Sequence, residues 1–114
     1  MLTLAFQGEQ GAFSHQAVAT VFPEDEPVSC ITFEDTIGAV QSGRADLAMV
    51  PVENSLYGRI ADIHHLLPNS GLFIIAEHFQ PIRMNLLGVP GSSIEDIKSV
   101  QSLSVALGQC RRFI

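Results

Sequence analysis

The chain has 114 residues, 46% of them hydrophobic, and a formal net charge of −6. That composition allows a packed core and argues against disorder, while the acidic charge argues against a nucleic-acid partner, which requires a basic face. No apolar run approaches the length that spans a bilayer, and the N-terminus lacks a basic segment followed by an apolar one, so we expect no membrane partner, no signal peptide and a cytoplasmic location. Cys30 and Cys110 are far apart and are expected to be reduced thiols.

The chain opens with a strand pattern that runs into a glycine-containing loop. Residues 2–7 are apolar enough for a short buried strand, and Gly8 and Gly11 follow in a loop that ends at Ser14. Glycines at this spacing permit a tight turn and a close approach of the backbone to a ligand. We predict that Ser14 caps a helix that ends at Pro23. Its apolar face consists of Ala17, Val18, Val21 and Phe22.

Two more strand patterns and a second helix follow. Residues 28–33 are rich in β-branched side chains, which predicts a strand. A helical face comes next, made of Phe33, Ile37 and Val40. Gly43 lies where a C-terminal cap of that helix would be. Residues 46–52 are largely apolar, which predicts a third strand buried on both faces, as in parallel sheets. The order β-α-β-α-β indicates an α/β layer architecture.

The third strand pattern stops abruptly at a polar loop. Residues 53–55 are Glu, Asn and Ser, Gly58 comes shortly after, and residues 60–67 have the period of a third short helix. Open α/β proteins bind ligands where a buried strand ends in a polar loop that leads into a helix. His64 and His65 lie in that helix, but adjacent helical residues point to different sides, so we do not expect a paired ligand set.

The last third of the chain predicts extended structure and then a helix. Residues 72–80 and 82–89 are both strand-like and are separated only by a proline, a pattern typical of a long strand that crosses between two lobes. Pro90 and Gly91 predict a turn, and residues 93–96 have capping-box spacing on a very short helix. The remaining predicted elements are a strand edge over 99–102 and a helix over 105–113.

Three of the predicted loops lead from a strand into a helix: residues 8–14, 53–58 and 102–104. The start of a helix offers unpaired backbone N–H groups and the positive end of a dipole, which bind carboxylates or phosphates without any basic residue. The loops also supply hydroxyl and amide side chains, namely Ser14, Asn54, Ser55 and Ser102. Neither the dinucleotide fingerprint nor the Walker motif is complete. Together the loops favour a small anionic ligand.

Three motifs in the chain resemble, in the same order, those of the prephenate dehydratase family. Residues 8–14, Gly-Glu-Gln-Gly-Ala-Phe-Ser, are similar to its Gly-Pro-x-Gly-Thr-Phe-Ser opening. Residues 44–55 together with Gly58 resemble its Gly-x-Ala-Asp … Pro-Ile-Glu-Asn-Ser-x-x-Gly motif, and residues 106–110 resemble its Gln-Ala-Leu-x-Gln-Cys helix. The resemblance spans nearly the whole chain and points to the N-terminal part of the family's catalytic domain.

The resemblance implies a two-lobed, periplasmic-binding-protein-like (type II) α/β fold. Residues 1–80 would form the first lobe, and residues 81–114 the crossing strand and an incomplete second lobe. Gln10 and Ala12 depart from the commonest opening, and residues 103–105 replace the usual His-Pro-Gln. The family's Thr-Arg-Phe/Asp motif and its regulatory ACT domain do not occur in the chain. Because the last predicted helix has no C-terminal cap, we expect a partial domain, and the apolar surface that it exposes should lead it to self-associate. Because the motif with the family's proton donor and most of the second lobe are missing, we expect that these residues alone do not turn over prephenate.

The implied activity is that of a carbon–oxygen lyase of L-phenylalanine biosynthesis, which converts prephenate to phenylpyruvate with loss of water and carbon dioxide. Such an enzyme orients a dianion and protonates the departing hydroxyl, and no metal or organic cofactor is implied. The family's proton donor is the threonine of the missing motif. Glu53 is the candidate acid within the central loop, the alternative being a carboxylate hydrogen-bonded to a neighbouring loop. The candidate substrate contacts are Ala12, Phe13, Ser14, Asn54, Ser55, Gly58, Ser102 and Gln109, with a packing role as the alternative for Gln109.

Two other functions remain open at this point. The same lobe architecture serves solute-binding and ligand-sensing domains, so a small-anion-binding regulatory module is one alternative. Arogenate, which carries an amine in place of the keto group of prephenate, is the alternative substrate. In each case the expected partner is a small dicarboxylate, with no nucleic acid or membrane, and we expect a homo-oligomer.

Overall fold

The computed structural model describes residues 1–55 and 58–113. The chain divides into two compact units, Met1–Gln80 and Pro81–Ile114. Helices and strands both contribute to the first unit, so the predicted α/β architecture is confirmed. Among the described residues, no helix has the length and apolar character that crossing a bilayer requires.

A parallel sheet forms the centre of the first unit. Strands β1 (Thr3–Gln7), β2 (Glu26–Cys30) and β3 (Leu47–Met49) are arranged in the order β2-β1-β3. The central strand β1 pairs in parallel with both neighbours, with Phe6 opposite Ser29 on one side and Met49 on the other. The predicted second strand therefore begins and ends earlier than residues 28–33, because its register is set by β1 rather than by its own β-branched residues.

Two helices of nine residues cover the two faces of this sheet: α1 (Phe13–Val21) and α2 (Phe33–Gln41). Alternate residues of β1 point to opposite faces. On one face, Leu4 and Phe6 pack with Val18 of α1, and all three are at most 2% exposed. On the other face, Ala5 packs with Cys30 and with Ala39 of α2. The sheet is thus a middle layer between two helices.

The start of α1 differs from the prediction. The helix begins two residues after Gly11, with Ala12 rather than Ser14 at its N-cap and with no side-chain hydrogen bond to the cap. The reason is a turn in which the Ala12 N–H donates to the Glu9 carbonyl (3.0 Å), after which the Ala12 carbonyl already accepts from Gln16 (2.9 Å). Ser14 therefore lies inside the first turn. The predicted end at Pro23 is confirmed, since Phe22 is the C-cap.

The start of α2 is capped by a side-chain hydrogen bond. Thr32 is the N-cap, and its hydroxyl accepts a hydrogen bond from the Asp35 N–H at 3.0 Å. Thr36 is fully buried and its hydroxyl donates to the Thr32 carbonyl at 2.8 Å. At the other end, Gly43 follows the C-cap Ser42 with φ of +83°, as predicted for a helix terminator.

The third strand is shorter than the predicted range 46–52. Only Leu47–Met49 pair with β1, because β1 itself turns away at Gly8, and the three residues are half-buried rather than fully buried. Two short strands follow, β4 (Glu53–Asn54) and β5 (Gly58–Arg59), which pair antiparallel. We predicted that the loop over 53–58 leads directly into a helix. This is wrong, because β4 and β5 come before the helix. The third helix, α3, is Ala61–Leu66, and a 3-10 turn, Leu67–Asn69, extends it.

The predicted strands over 72–80, 82–89 and 99–102 are wrong, because no strand is formed there in the described residues. A strand needs a neighbour to satisfy its backbone groups, and the described residues supply none, so Phe73 and Leu87 are 89% and 87% exposed. The turn at Pro90–Gly91 is confirmed, since the Ser92 N–H donates to the Val89 carbonyl at 3.0 Å.

The second unit contains a 3-10 turn and one helix. The turn is Ile94–Asp96, and the predicted capping box is confirmed, since the Ser93 N–H donates to the Asp96 carboxylate at 2.9 Å. Helix α4 is Ser104–Gln109, shorter than the predicted range 105–113. Cys110 follows it, and both this thiol and the buried Cys30 thiol are free.

The cap of α2 gives a test of the fold. Thr32→Ala removes the acceptor for the Asp35 N–H and should lower the free energy of unfolding by about 1 kcal/mol. The measurement is urea-induced unfolding followed by circular dichroism. Thr20→Ala, at an exposed position within α1, is the matched control and should lose no stability. Equal changes in the two variants would show that the Thr32 hydroxyl does not stabilise α2.

Candidate functional site

The order of the strands brings two loops together. The chain runs from β1 to β2 on one side of the sheet and then crosses to β3 on the other side. Because β1 and β3 are parallel neighbours, the loops that follow Gln7 and Met49 leave the same edge of the sheet. Open α/β sheets bind ligands at the edge where the strand order reverses in this way. We call this place the switch edge; it is formed by residues 8–14 and 50–55.

The loop over residues 8–12 is fixed at both ends. Toward the sheet, the Gly8 N–H donates to the Cys30 carbonyl at 3.0 Å, and the Ser29 hydroxyl donates to the Gly8 carbonyl. Gly8 has φ of +122°, and a Cβ there would lie 3.2 Å from the Cβ of Ala12. The position therefore requires glycine both for its backbone angle and for space.

Toward the helix, side chains of α1 hold the same loop. The Gly11 N–H donates to Nδ1 of His15 at 2.8 Å, and Nε2 of Gln16 donates to the Gly11 carbonyl at 3.2 Å. Gly11 has φ of +90°, which favours glycine. Sequence reasoning missed both contacts, because they depend on how the loop folds back on α1, which residue spacing does not show.

The N-terminus of α1 is open to an anion. The backbone N–H groups of Phe13, Ser14 and His15 have no hydrogen-bond acceptor among the described residues, and the first turn contains no acidic residue. Unpaired N–H groups at the start of a helix bind carboxylates or phosphates. By contrast, Thr32 already caps α2, whose first turn carries two carboxylates. The two helices of nine residues therefore differ, and only α1 suits an anionic ligand.

The predicted contacts in this first loop lie side by side. Ala12, Phe13 and Ser14 form the N-cap and the start of α1, and all three are half-buried. The Ser14 hydroxyl makes no hydrogen bond to any described residue. It is therefore able to act as a ligand contact, although not as the helix cap that the sequence predicted.

The second loop of the switch edge leads into the β4–β5 ribbon. Asn54 is half-buried in β4 opposite Gly58, whose φ is +94°, and Ser55 follows at an exposed position. Glu53 is exposed and lies opposite Arg59 in the ladder. The described residues show no hydrogen bond to the Glu53 carboxylate, so its role, as an acid or as a carboxylate hydrogen-bonded to a neighbouring loop, stays a prediction.

A histidine also holds this second loop. Nε2 of His64 lies 3.2 Å from the Val52 carbonyl, which accepts a hydrogen bond from the Ile60 N–H at 2.9 Å as well. Since a carbonyl only accepts, His64 donates through Nε2. His65 is exposed and makes no hydrogen bond within the described structure. The two histidines thus have separate surroundings, and only His64 contacts the loop.

Ser102 and Gln109, the other predicted contacts, belong to the second unit. Ser102 is exposed ahead of α4. Gln109 is half-buried near the end of α4, and its Oε1 atom is buried without a hydrogen-bond partner among the described residues. A buried acceptor with no donor costs about 1–3 kcal/mol, so this oxygen is a place where a further donor would be stabilising.

A shallow cavity of about 270 Å³ lies elsewhere in the first unit, between the start of α2 and α3. Two carboxylates and one histidine are among its lining residues, which are Thr32, Phe33, Glu34, Asp62, His65 and Leu66. The carboxylates make it unsuited to an anion. Among the described residues, no group of histidine, cysteine, aspartate and glutamate side chains is arranged to hold a metal ion.

Comparisons with known proteins place the chain in a family. The model of the family "Prephenate dehydratase" matches residues 4–114. The chain is 49% identical over 111 residues to the "Bifunctional N-acyl-homoserine lactone acylase/prephenate dehydratase" of Komagataeibacter europaeus, covering 97% of this chain and 40% of the relative. It is 43% identical over 107 residues to "Arogenate dehydratase/prephenate dehydratase 1, chloroplastic" of Arabidopsis thaliana, covering 94% and 27%.

Two solved structures are similar to the described fold. One, described as "GqqA- a novel type of quorum quenching acylases", has a TM-score of 0.77 and 48% identity and covers 98% of this chain and 41% of that one. The other is prephenate dehydratase from Streptococcus mutans, with a TM-score of 0.57, 28% identity, and coverage of 59% and 36%. The chain therefore spans less than half the length of these relatives.

The open start of α1 gives a second test. Ala12 has the extended backbone that an N-cap residue needs, with φ of −61° and ψ of 164°. Ala12→Asp should therefore cap the free N–H groups and raise the free energy of unfolding by about 1 kcal/mol. Urea-induced unfolding measures this change. Ala19→Asp, at an exposed position near the other end of α1, is the control and should destabilise the helix. A loss of stability in Ala12→Asp would contradict an open helix terminus.

Proposed function

The chain belongs to the prephenate dehydratase family, and we propose that it supplies the substrate-binding edge of an enzyme that converts prephenate to phenylpyruvate. The observation that carries this proposal is the switch edge, where the loop that leads to the uncapped start of α1 and the loop that bears Asn54 and Ser55 leave neighbouring parallel strands. We further propose the periplasmic-binding-protein-like (type II) fold for the complete enzyme, with Met1–Gln80 as the first lobe and Pro81–Ile114 as part of the second.

The electrostatics of this edge suit a carboxylate substrate. The chain has a net charge of −6, so long-range attraction does not draw an anion to it. Backbone N–H groups at the start of α1 can attract an anion at short range instead. The helix fixes the direction of their dipoles, and these groups do not titrate. In the proposal they hold one carboxylate of prephenate, and the Ser14 hydroxyl adds a further donor.

The reaction needs few protein groups. The bond between the ring and its carboxylate breaks, its electron pair enters the ring as the aromatic system forms, and the ring hydroxyl departs with a proton as water. The protein orients the substrate and supplies that proton. In the proposal, the Asn54 amide orients the substrate where charge develops, and Ser55 binds a carboxylate. Glu53 is the candidate acid in this loop, and its carboxyl group is exposed. We propose that the main proton donor is a group outside the described residues.

The contacts in the second unit complete the proposed set. Ser102 precedes α4, which has six residues and therefore only a small dipole. Gln109 is a better candidate, because its unpartnered Oε1 would accept a hydrogen bond from a donor that the described residues lack. In the proposal Gln109 orients that donor, and Gly58 contributes by allowing the β4–β5 ribbon to turn close to the ligand.

Arogenate is the alternative substrate, because relatives are named for both dehydratases. The two substrates undergo the same loss of water and carbon dioxide and differ only at the side-chain keto or amino group. A binding or sensing module of the same fold remains the alternative to an enzyme. We also propose a cytoplasmic homo-oligomer that uses no metal or organic cofactor, although some relatives are named chloroplastic.

An acylase function finds less support in the described residues. The name of the Komagataeibacter europaeus relative includes an N-acyl-homoserine lactone acylase. Acyl transfer by a serine or cysteine nucleophile requires a base within hydrogen-bond reach. In the described part of the chain, no serine hydroxyl or cysteine thiol forms a hydrogen bond with a histidine. The proposed lyase needs no such pair.

The Asn54 amide gives the first test of the proposal. In the natural gene product, Asn54→Ala should lower kcat for prephenate by ~10²-fold or more, because one oriented donor at a developing charge contributes that much. Phenylpyruvate formation is followed by absorbance. Asn69→Ala, at an exposed position after α3, is the control and should leave kcat unchanged. Wild-type kinetics in Asn54→Ala would remove this residue from the site.

The Ser55 hydroxyl gives the second test. Ser55→Ala should raise KM for prephenate by about tenfold and change kcat less, because a hydrogen bond to a carboxylate stabilises ground state and transition state alike. The same absorbance assay yields both constants. Ser99→Ala, which removes an exposed hydroxyl from the second unit, is the control. An unchanged KM with a large fall in kcat would instead make Ser55 a participant in the chemistry.

A further inference from the structure

We propose that His15 is a positioning residue for the anion-binding start of α1, and that only its neutral form performs this role. The inference rests on the proposed function, because it concerns the same edge. His15 does not need to touch the substrate. It accepts a hydrogen bond from the Gly11 N–H at 2.8 Å and so fixes the loop that leads into the open N–H groups of Phe13 and Ser14.

The direction of this hydrogen bond determines the state of the ring. A backbone N–H can only donate, so Nδ1 of His15 must carry a lone pair and the proton must lie on Nε2. Protonation of Nδ1 would place two N–H groups face to face and break the contact. The contact between the Gly11 N–H and Nδ1 therefore exists only while the ring is neutral.

The ring itself is held in place by the core. His15 stacks on Phe6 with a centroid distance of 5.2 Å and an interplanar angle of 12°. Phe6 is 2% exposed and lies in the middle of the sheet. Stacking fixes the plane of the ring, and the hydrogen bond from the Gly11 N–H selects the orientation that presents Nδ1. The sheet thus fixes the ring, the ring fixes the loop, and the loop sets the first turn of α1.

Few other charges act on this contact. The elements packed against α1 are β1, β2 and β3, and only β2 contributes titratable groups, Glu26 and Cys30. Glu26 begins β2, at the edge opposite the loop, and Cys30 packs on the other face of the sheet with Ala39. Within the loop, Glu9 is exposed. His15 is therefore the group whose protonation would break this contact directly.

The other loop of the switch edge provides an internal comparison. His64 donates to the Val52 carbonyl through Nε2, and an imidazole can donate in both its neutral and its protonated form. Acid should consequently release the loop over residues 8–12 and leave the loop over residues 50–55 in place. A general loss of folding would affect both.

Two substitutions distinguish the effect of the stacked ring from the effect of the hydrogen-bond acceptor. His15→Phe keeps a ring on Phe6 and removes the acceptor, whereas His15→Asn places an amide oxygen near the position of Nδ1 and removes the ring. In the natural gene product, His15→Phe should raise KM for prephenate about tenfold, the value of one lost hydrogen bond, with a smaller change in kcat. His15→Asn should recover most of the loss. His65→Phe, on an exposed histidine, is the matched control and should have no effect.

The experiment combines those kinetics with nuclear magnetic resonance of the ¹⁵N-labelled protein from pH 8 to pH 5. We expect a neutral His15 ring with the proton on Nε2, a protected Gly11 amide that loses protection in acid and in His15→Phe, and a rise in KM in His15→Phe that His65→Phe does not reproduce. A proton on Nδ1 at neutral pH, or an unchanged KM in His15→Phe, would overturn the inference. A wild-type protein that does not convert prephenate would instead refute the proposed function, while the Gly11 amide still decides whether His15 positions the loop.

Discussion

The parallel pairing of β1 with β3 is the constraint on which the rest of the structure depends. It puts the ends of two strands next to each other, so that residues distant in sequence, the glycine loop and the Asn54–Ser55 segment, leave the sheet at one edge. The burial of Phe6 and Leu4 against α1 holds β1 in this position. Without that pairing, the two loops would be separate surface features rather than neighbours at one edge of the sheet.

The acidic charge of the chain and its proposed anionic ligand are reconciled by a difference between two similar helices. α1 and α2 have the same length, yet α2 starts with a threonine cap and two carboxylates, whereas α1 starts with alanine and no acid. The cap stabilises α2 as a structural element. The start of α1 lacks such a cap, so its first turn is less stable and keeps free N–H groups. Stability and the proposed binding are therefore divided between two helices that cover different faces of one sheet.

The sequence predicted the features that depend on local pattern and missed those that depend on neighbours. The β-α-β-α-β order, the capping box at Ser93 and the glycine after α2 were confirmed, because each is fixed within a few residues. Ser14 was a wrong cap because a turn through Gly11 starts the helix earlier. The strands over 72–89 were wrong because a strand needs a partner. The roles of His15 and His64 depend on contacts that no periodicity reveals.

The proposed anion-binding groups of α1 are backbone atoms, and this affects how the protein can change over evolutionary time. Side chains at positions 13 and 14 can drift without removing the N–H groups, provided that proline does not enter and the glycines keep the loop in shape. The ability to bind an anion would then depend on the path of the backbone rather than on the identity of these side chains. Two members of a family could differ at each of these side chains and still hold the same carboxylate.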